Sequence, residues 1–306
     1  MEFLSKNKYT LYGVAAILLW SCLVALLRDI SELFSPIGGA AAMYSVSAIF
    51  LILVMGVPKF SGFSKRYLVI GTLLFVSYEI CLALSIGMAN SRHQAMEMAV
   101  INYLWPTLTI LLSIIIGRKK VNFWVYPSMI IAFLGVAWCI TGDQKMSLDT
   151  LVSNFADNPA TYLMALAAAF IWAIYCVVTQ KLSNGKNAIT LFFAVTAMSL
   201  WAQYGFSNEA PLTFSLGSSI TLLLAGVVVG SGYALWNQAI IGGNLMLLGT
   251  LSYFTPVFST IISALYLSIT LSVSFWQGVV LVTVGSLICY FVTREKPKQP
   301  QIASAS

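Results

Sequence analysis

Glu79 offers the most chemistry of any residue in this chain, because it stands near the centre of an apolar run with Tyr78 before it. A carboxyl at that depth is costly, so it must face an interior, pair with something, or stay protonated. Two roles stay open: a substrate contact or proton relay, and a structural carboxyl bonded to a neighbouring helix. A second charged group is Arg92, His93 and Glu97. His93 and Glu97 are four apart and share a helical face, which suits a salt-bridged gate and equally an interfacial cluster anchoring a helix end. His93 is the only histidine, so a His-based zinc site or a Ser/His/Asp triad is hard to build. The cysteines Cys22, Cys81, Cys139, Cys176 and Cys289 have no metal or redox spacing and read as small buried hydrophobes. No cofactor is expected.

The aromatic residues offer binding chemistry. Asn102-Tyr103-Leu104-Trp105-Pro106 returns as Ser252-Tyr253-Phe254-Thr255-Pro256, with the prolines 150 residues apart. A proline inside an apolar run removes a backbone donor and is expected to kink a helix, so Pro106 and Pro256 are candidate hinges. Tyr44, Trp236 and Asn237 join these stretches as further central residues. Single aromatics at helical spacing usually pack, but a group gathered at kinked helices can form a cavity for bulky planar ligands and hold a cation over a ring face. Around 160–182, Ala165, Ala168, Trp172, Tyr175, Cys176 and Thr179 fall on one helical side, with Leu166, Phe170, Ile174 and Val177 on the other. The first face suits a cavity wall or a tight helix contact, and the second suits lipid.

The elements that position these residues are membrane spans. Hydrophobic residues are 59% of the chain and charged residues 8%, far from the balance of soluble domains. Ten runs near 9–29, 36–57, 67–90, 93–117, 122–141, 160–182, 187–206, 215–240, 243–267 and 272–293 are each long enough to cross a hydrocarbon core. With the N-terminus inside, 13 of the 16 basic residues fall on the cytoplasmic side and only Arg28, Arg92 and Lys145 on the other. That asymmetry predicts cytoplasmic termini, and one missed helix would erase it. The net charge of +6 therefore reads as topology and gives no support to a nucleic-acid partner. The first span is long for a signal peptide and lacks a good cleavage site, so it is expected to remain as a helix.

A repeat organises the spans. Trp20 aligns with Trp172, Ser45 to Ala48 with Ala194 to Ala197, and Gly135 and Cys139 with Gly285 and Cys289, at offsets of 149 to 152. Five spans per unit is an odd number, so the second copy enters the membrane from the opposite side. The expected fold is an all-α integral membrane protein of ten transmembrane helices, as two inverted five-helix repeats around a central cavity. The first repeat covers 9–141 and the second 160–293, joined by a periplasmic linker at 142–159 and followed by a disordered cytoplasmic tail at 294–306. Gly226 and Gly230 have the spacing of a close helix contact, and Gly38-Gly39 is open to use as a hinge or as tight packing.

Ser77 to Leu84, His93-Gln94-Ala95, Asn102 to Pro106, Phe170 to Ala173, Ser252 to Pro256 and Ser274 to Gly278 resemble the drug/metabolite transporter superfamily, EamA branch, and within it the bacterial aromatic amino-acid exporters. The resemblance covers nearly the whole chain apart from the linker and the tail. It implies a basket of ten helices exporting Phe, Tyr or Trp, with bulky cations such as methyl viologen as further candidates. Carried onto this chain, the cavity wall would include Tyr78, Tyr103, Trp105 and Trp172, with Glu79 nearby. Beside them, Tyr175, Trp236, Tyr253, Asn102 and Asn237 complete the expected substrate-binding set, with His93 and Glu97 as the gate. The expected partners are a small-molecule substrate and the lipid bilayer of the inner membrane, with a monomer as the unit. An exporter of other amino acids or small metabolites is the rival within transport. An intramembrane enzyme would need paired acid and base groups that are missing, and a receptor would need a soluble domain larger than the linker of about 18 residues.

Overall fold

The computed structural model describes residues 2–57, 62–108, 112, 122–141, 148–242, 248, 251–252 and 254–293. Tyr253, the tail from 294 and the turn at Gly243-Asn244 lie outside the described residues. Among those described, all regular structure is helical: α1 (Glu2–Trp20), α2 (Leu23–Leu33), α3 (Pro36–Met55), α4 (Lys65–Gly87), α5 (Arg92–Asn102), α6 (Val125–Thr141), α7 (Leu148–Asp157), α8 (Pro159–Leu182), α9 (Ile189–Gly205), α10 (Leu216–Gly242), α11 (Thr255–Tyr266) and α12 (Val273–Thr293). Stretches Lys8–Leu33, Pro36–Met55, Lys65–Gly87, Pro159–Thr179 and Leu216–Gly242 are long and apolar enough to cross a membrane, and α6, α9, α11 and α12 are shorter apolar helices. Leu53, Val57, Leu216, Val273 and Leu265 are exposed around the outside. Large apolar side chains turned outward while tyrosines and a glutamate are buried is the arrangement of a protein dissolved in lipid.

Local chemistry explains where helices start and stop. Pro36 and Pro159 occupy first turns, where the missing N–H costs nothing. Ser91 caps α5 by accepting from the Gln94 amide at 3.0 Å, and the Gln94 side chain accepts from the Asn90 amide at 2.6 Å. At the start of α3 the cap comes from afar: the Glu209 carboxylate accepts from the amides of Ile37 and Gly38 at 2.9–3.2 Å. The expected continuous first span is broken at Ser21 and Cys22. There the Ser21 hydroxyl donates to the Ile17 carbonyl at 2.8 Å and the backbone tightens to a Cys22 to Leu19 bond.

The two prolines do not kink continuous helices, which corrects the sequence expectation. α5 ends at Asn102, Tyr103 and Leu104 form a turn, and helix resumes at Trp105 with Pro106 in its first turn. Pro256 likewise lies in the first turn of α11. Ending one helix and starting another removes the clash with the preceding turn and leaves backbone groups of both ends pointing inward.

Four helix pairings build the interior: α3 beside α9, α4 beside α8, α1 beside α10, and α6 beside α12. Glycines set the closest of them. Gly135 lies where an added Cβ would come 2.7 Å from the Val282 nitrogen, and at Gly285 it would come 2.6 Å from the Ala132 nitrogen, so α6 and α12 meet backbone to backbone. Gly226 and Gly230 make the expected close contact, with α3: the Ser47 hydroxyl donates to the Gly226 carbonyl at 2.7 Å, and an added Cβ at Gly230 would stand 3.4 Å from Ser47. The linker carries α7, whose end is tied to the α4–α5 turn by Asn90 donating to Asp157 at 2.8 Å and Asn158 donating to the Met88 carbonyl at 2.9 Å.

Candidate functional site: an aromatic pocket between the helices

Trp172 is the centre of the site. On α8, Ala165, Ala168, Trp172, Tyr175, Cys176 and Thr179 are all buried, while Leu166, Phe170 and Ile174 are exposed. The small residues let α4 approach, which brings Tyr78 onto the Trp172 ring at a centroid distance of 4.4 Å. Tyr175 stacks on Trp172 at 4.9 Å, and Trp20 and Trp105 meet it edge-on at 5.9 and 6.4 Å. Trp236 closes the ring set against Trp20 at 4.8 Å. Edge-on and offset contacts of this kind are favourable geometries for aromatic rings, so the group holds its shape and opens only by separating rings.

A narrow cavity of about 30 Å³ lies among them, closed down by the surrounding rings. Its rings come from Trp20, Tyr78, Tyr103, Trp105, Trp172 and Tyr233, its apolar floor from residues such as Leu23, Leu82 and Ala99, and its polar groups from Asn102 and Thr255. Asn102 Oδ1, Thr255 Oγ1 and Trp20 Nε1 are buried without a hydrogen-bond partner among the described residues. Buried polar atoms left unpaired by protein groups are uncommon, and these three are available to water or to a ligand. Their placement is ordered. Asn102 is the last residue of α5, where helix carbonyls carry partial negative charge, and Thr255 is the first of α11, where amides carry partial positive charge. An ammonium group suits the Asn102 end and a carboxylate suits the Thr255 end.

The expected substrate set divides in the structure. Tyr78, Asn102, Tyr103, Trp105 and Trp172 line the pocket. Tyr175 and Trp236 stand behind its wall in ring contact with Trp172 and with Trp20 and Trp105. Asn237 faces away, donating to Tyr175 Oη at 3.3 Å and Asn187 Oδ1 at 3.1 Å. Glu79 is fully buried one layer behind, its Oε2 accepting from Tyr44 at 2.5 Å, while Oε1 has no hydrogen-bond partner among the described residues. Three lining residues were not singled out from the sequence as site residues: Trp20, Tyr233 and Thr255. Each had a signal, because Trp20 aligns with Trp172, Thr255 with Trp105, and Tyr233 lies one turn before Trp236.

At the Arg92 end, ion pairing falls elsewhere than among Arg92, His93 and Glu97. Arg92 Nη2 pairs with Glu32 Oε2 at 2.6 Å, Arg28 Nε pairs with Glu32 Oε1 at 2.6 Å, and Arg92 Nη1 donates to the Leu267 carbonyl at 2.6 Å. Arg92 and Glu97 point to different sides of α5, and the Glu97 carboxylate accepts from the Tyr162 hydroxyl. His93 and Glu97 instead line a separate polar pocket with Cys139, Ser272 and Phe275. Among the described residues no cluster of His, Cys, Asp or Glu is arranged to hold a metal ion.

Known proteins share both sequence and fold with this chain. Residues 159–291 match the family model described as the EamA-like transporter family. The chain is 46% identical over 293 residues to the aromatic amino acid exporter YddG of Salmonella typhimurium, covering 96% of this chain and 100% of that one. It is 45% identical over 291 residues to the exporter of the same name from Escherichia coli, covering 95% and 99%. A crystal structure 20% identical in sequence superposes with a TM-score of 0.67 over 94% of this chain and 99% of that one, which speaks for the fold alone. The resemblance carried by the sequence strings is thereby borne out: this all-helical membrane chain belongs to the EamA-like transporter family, and its work is transport and not enzymatic catalysis.

Proposed function

We propose that this protein exports aromatic amino acids across the inner membrane by alternating access, through ten spans arranged as two inverted five-helix repeats with both termini in the cytoplasm. The observation that carries the substrate assignment is the pocket itself: six aromatic side chains around polar atoms of Asn102 and Thr255, at opposite helix ends, that have no hydrogen-bond partner among the described residues. The substrate ring lies between Trp172, Trp105 and Tyr103, its ammonium is accepted by Asn102, and its carboxylate meets Thr255 and the α11 amides. The two relatives of known name, both aromatic amino acid exporters at 45–46% identity, support the same reading.

The helix pairings support the inverted repeat. Exchanging α1 with α8, α3 with α9, α4 with α10 and α6 with α12 turns the pairs α4–α8 and α1–α10 into each other and returns α3–α9 and α6–α12 to themselves. Such exchange is what a two-fold axis between the halves produces. The ring cluster is closed in this structure, so passage requires the halves to part. The interruptions before Trp105 and Thr255, with Pro106 and Pro256 beyond them, are the compliant points. With the N-terminus inside, the Arg92–Glu32 pair and the Leu267 carbonyl seal the periplasmic end.

Reconstituted vesicles test the reading through uptake of labelled Phe, Trp, Thr and a bulky planar cation. The expected result is transport of Phe and Trp well above Thr. Equal rates for Trp and Thr, or Trp172→Ala and Tyr103→Ala variants that export normally at equal insertion, would overturn it.

A further inference from the structure

The cavity behind α5 is larger than the one between the rings, at about 340 Å³ against about 30 Å³. It falls in the size range of small-ligand sites, roughly 300–1,000 Å³. Glu97 and Asn102 are five residues apart on α5, and at about 100° per residue they face nearly opposite ways. Asn102 therefore lines the ring pocket, while His93 and Glu97 line this separate space. The facing wall is the entry to α12, where Thr270, Leu271 and Ser272 lead into the helix and Phe275 lies on its first turn. Cys139 of α6 donates to the Phe275 carbonyl at 3.4 Å and fixes that wall in place.

The two walls are of opposite sign. On α5 the Glu97 carboxylate accepts from the Tyr162 hydroxyl of α8, and among the described residues no Lys or Arg pairs with it. Tyr162 thus holds the carboxylate still without neutralising it. On α12 the Ser272 hydroxyl oxygen accepts from the Phe275 amide at 3.1 Å, and the amides of Val273 and Ser274 before it have no carbonyl within the helix to bond. That turn is the positive end of the helix dipole. A lone cation is opposed by the α12 end, and a lone anion is opposed by Glu97. A zwitterion satisfies both.

We propose that this cavity is a second amino-acid site, separate from the ring pocket. The ammonium pairs with Glu97, and the carboxylate meets Ser272, Thr270 and the first turn of α12. His93 and Thr270 are exposed, so they mark the mouth. The orientation given above puts that mouth on the periplasmic side, where the site meets amino acid already outside the cell. Only that side, and the choice of an aromatic amino acid as probe, rest on the proposed function; the zwitterion follows from the cavity's own charges.

The test places one thiol at the mouth, as Thr270→Cys in the full chain with the five native cysteines replaced by alanine. In right-side-out vesicles, external phenylalanine is expected to slow its labelling by an impermeant thiol reagent. Phenethylamine and 3-phenylpropionate each carry one of the two charges, and each is expected to protect at least about tenfold more weakly. Adding Glu97→Gln is expected to raise the phenylalanine concentration for half-protection at least about tenfold. Absence of protection at millimolar phenylalanine overturns the site, and so does equal protection by either half-molecule. A loss of protection in Trp172→Phe as large as in Glu97→Gln means that the thiol reports the ring pocket, and this too overturns it. The three-ligand comparison needs no change at Glu97, so poor folding of Glu97→Gln cannot shelter the idea. Labelling confined to inside-out vesicles overturns the orientation instead, and protection measured there then decides the site. Uptake of labelled phenylalanine by the same protein reports the substrate reading separately.

Discussion

The Tyr78 ring from α4 lies 4.4 Å from the Trp172 ring from α8, tilted by 31°, and this contact forms one wall of the aromatic pocket proposed to take the substrate. In the proposed function a substrate ring enters by replacing such contacts with its own. Truncating Trp172 to Ala therefore removes stacking and burial together, and the apparent affinity for tryptophan is expected to fall at least about tenfold. Because the same change opens a core cavity costing about 3–5 kcal/mol, Trp172→Phe serves as the companion. It keeps most of the packing and is expected to retain intermediate transport, measured as concentration-dependent uptake into vesicles.

Asn102 tests recognition of the charged ends. Its Oδ1 is buried at the end of α5 with no hydrogen-bond partner among the described residues. Asn102→Leu keeps the volume and removes the acceptor, and a lost charge-assisted hydrogen bond is worth about 1.5–3 kcal/mol. Tryptophan binding is expected to weaken by roughly tenfold or more. Indole-3-propionate, which lacks the ammonium, is expected to compete equally well in both proteins. Equal losses for the two ligands would place the ammonium elsewhere.

Arg92 links α5 to Glu32 on α2 and to the Leu267 carbonyl just past α11. Both side chains are partly exposed, so the pair contributes only about 0–1 kcal/mol to stability and the melting temperature of Arg92→Ala should barely move. Its effect should fall on access. A single cysteine placed at Thr255, in a protein whose native cysteines are replaced by alanine, is expected to react faster with an impermeant thiol reagent when Arg92 is also Ala. Unchanged labelling would remove Arg92 from the seal.

Gly135 and Gly285 test the α6–α12 contact. A methyl at either meets backbone nitrogen and oxygen atoms at 2.6–2.8 Å, which cannot step aside as a flexible side chain can. Gly135→Ala and Gly285→Ala are each expected to cost about 1–3 kcal/mol, read as a lower melting temperature in detergent. Gly205→Ala, where nothing lies within 4 Å, is the control and should be near neutral.

What the sequence by itself determined rests on quantities that add along the chain. Apolar run length marked the membrane helices, and the offset between Trp20 and Trp172 carried the expectation of a repeat. Helical spacing also separated the buried face of α8 from its exposed face, because one periodic element fixes which side chains share a side. Tertiary structure alone decided which faces meet. It brought Thr255 and Asn102 to one pocket from helices some 150 residues apart, and it set Glu79 behind the pocket wall instead of in it. It turned Arg92 to Glu32 and Glu97 to Tyr162, and it made Pro106 and Pro256 helix starts. Each outcome depends on the rotation and depth of one helix against another. Those are set by side-chain packing between segments distant in sequence, and no local spacing encodes them.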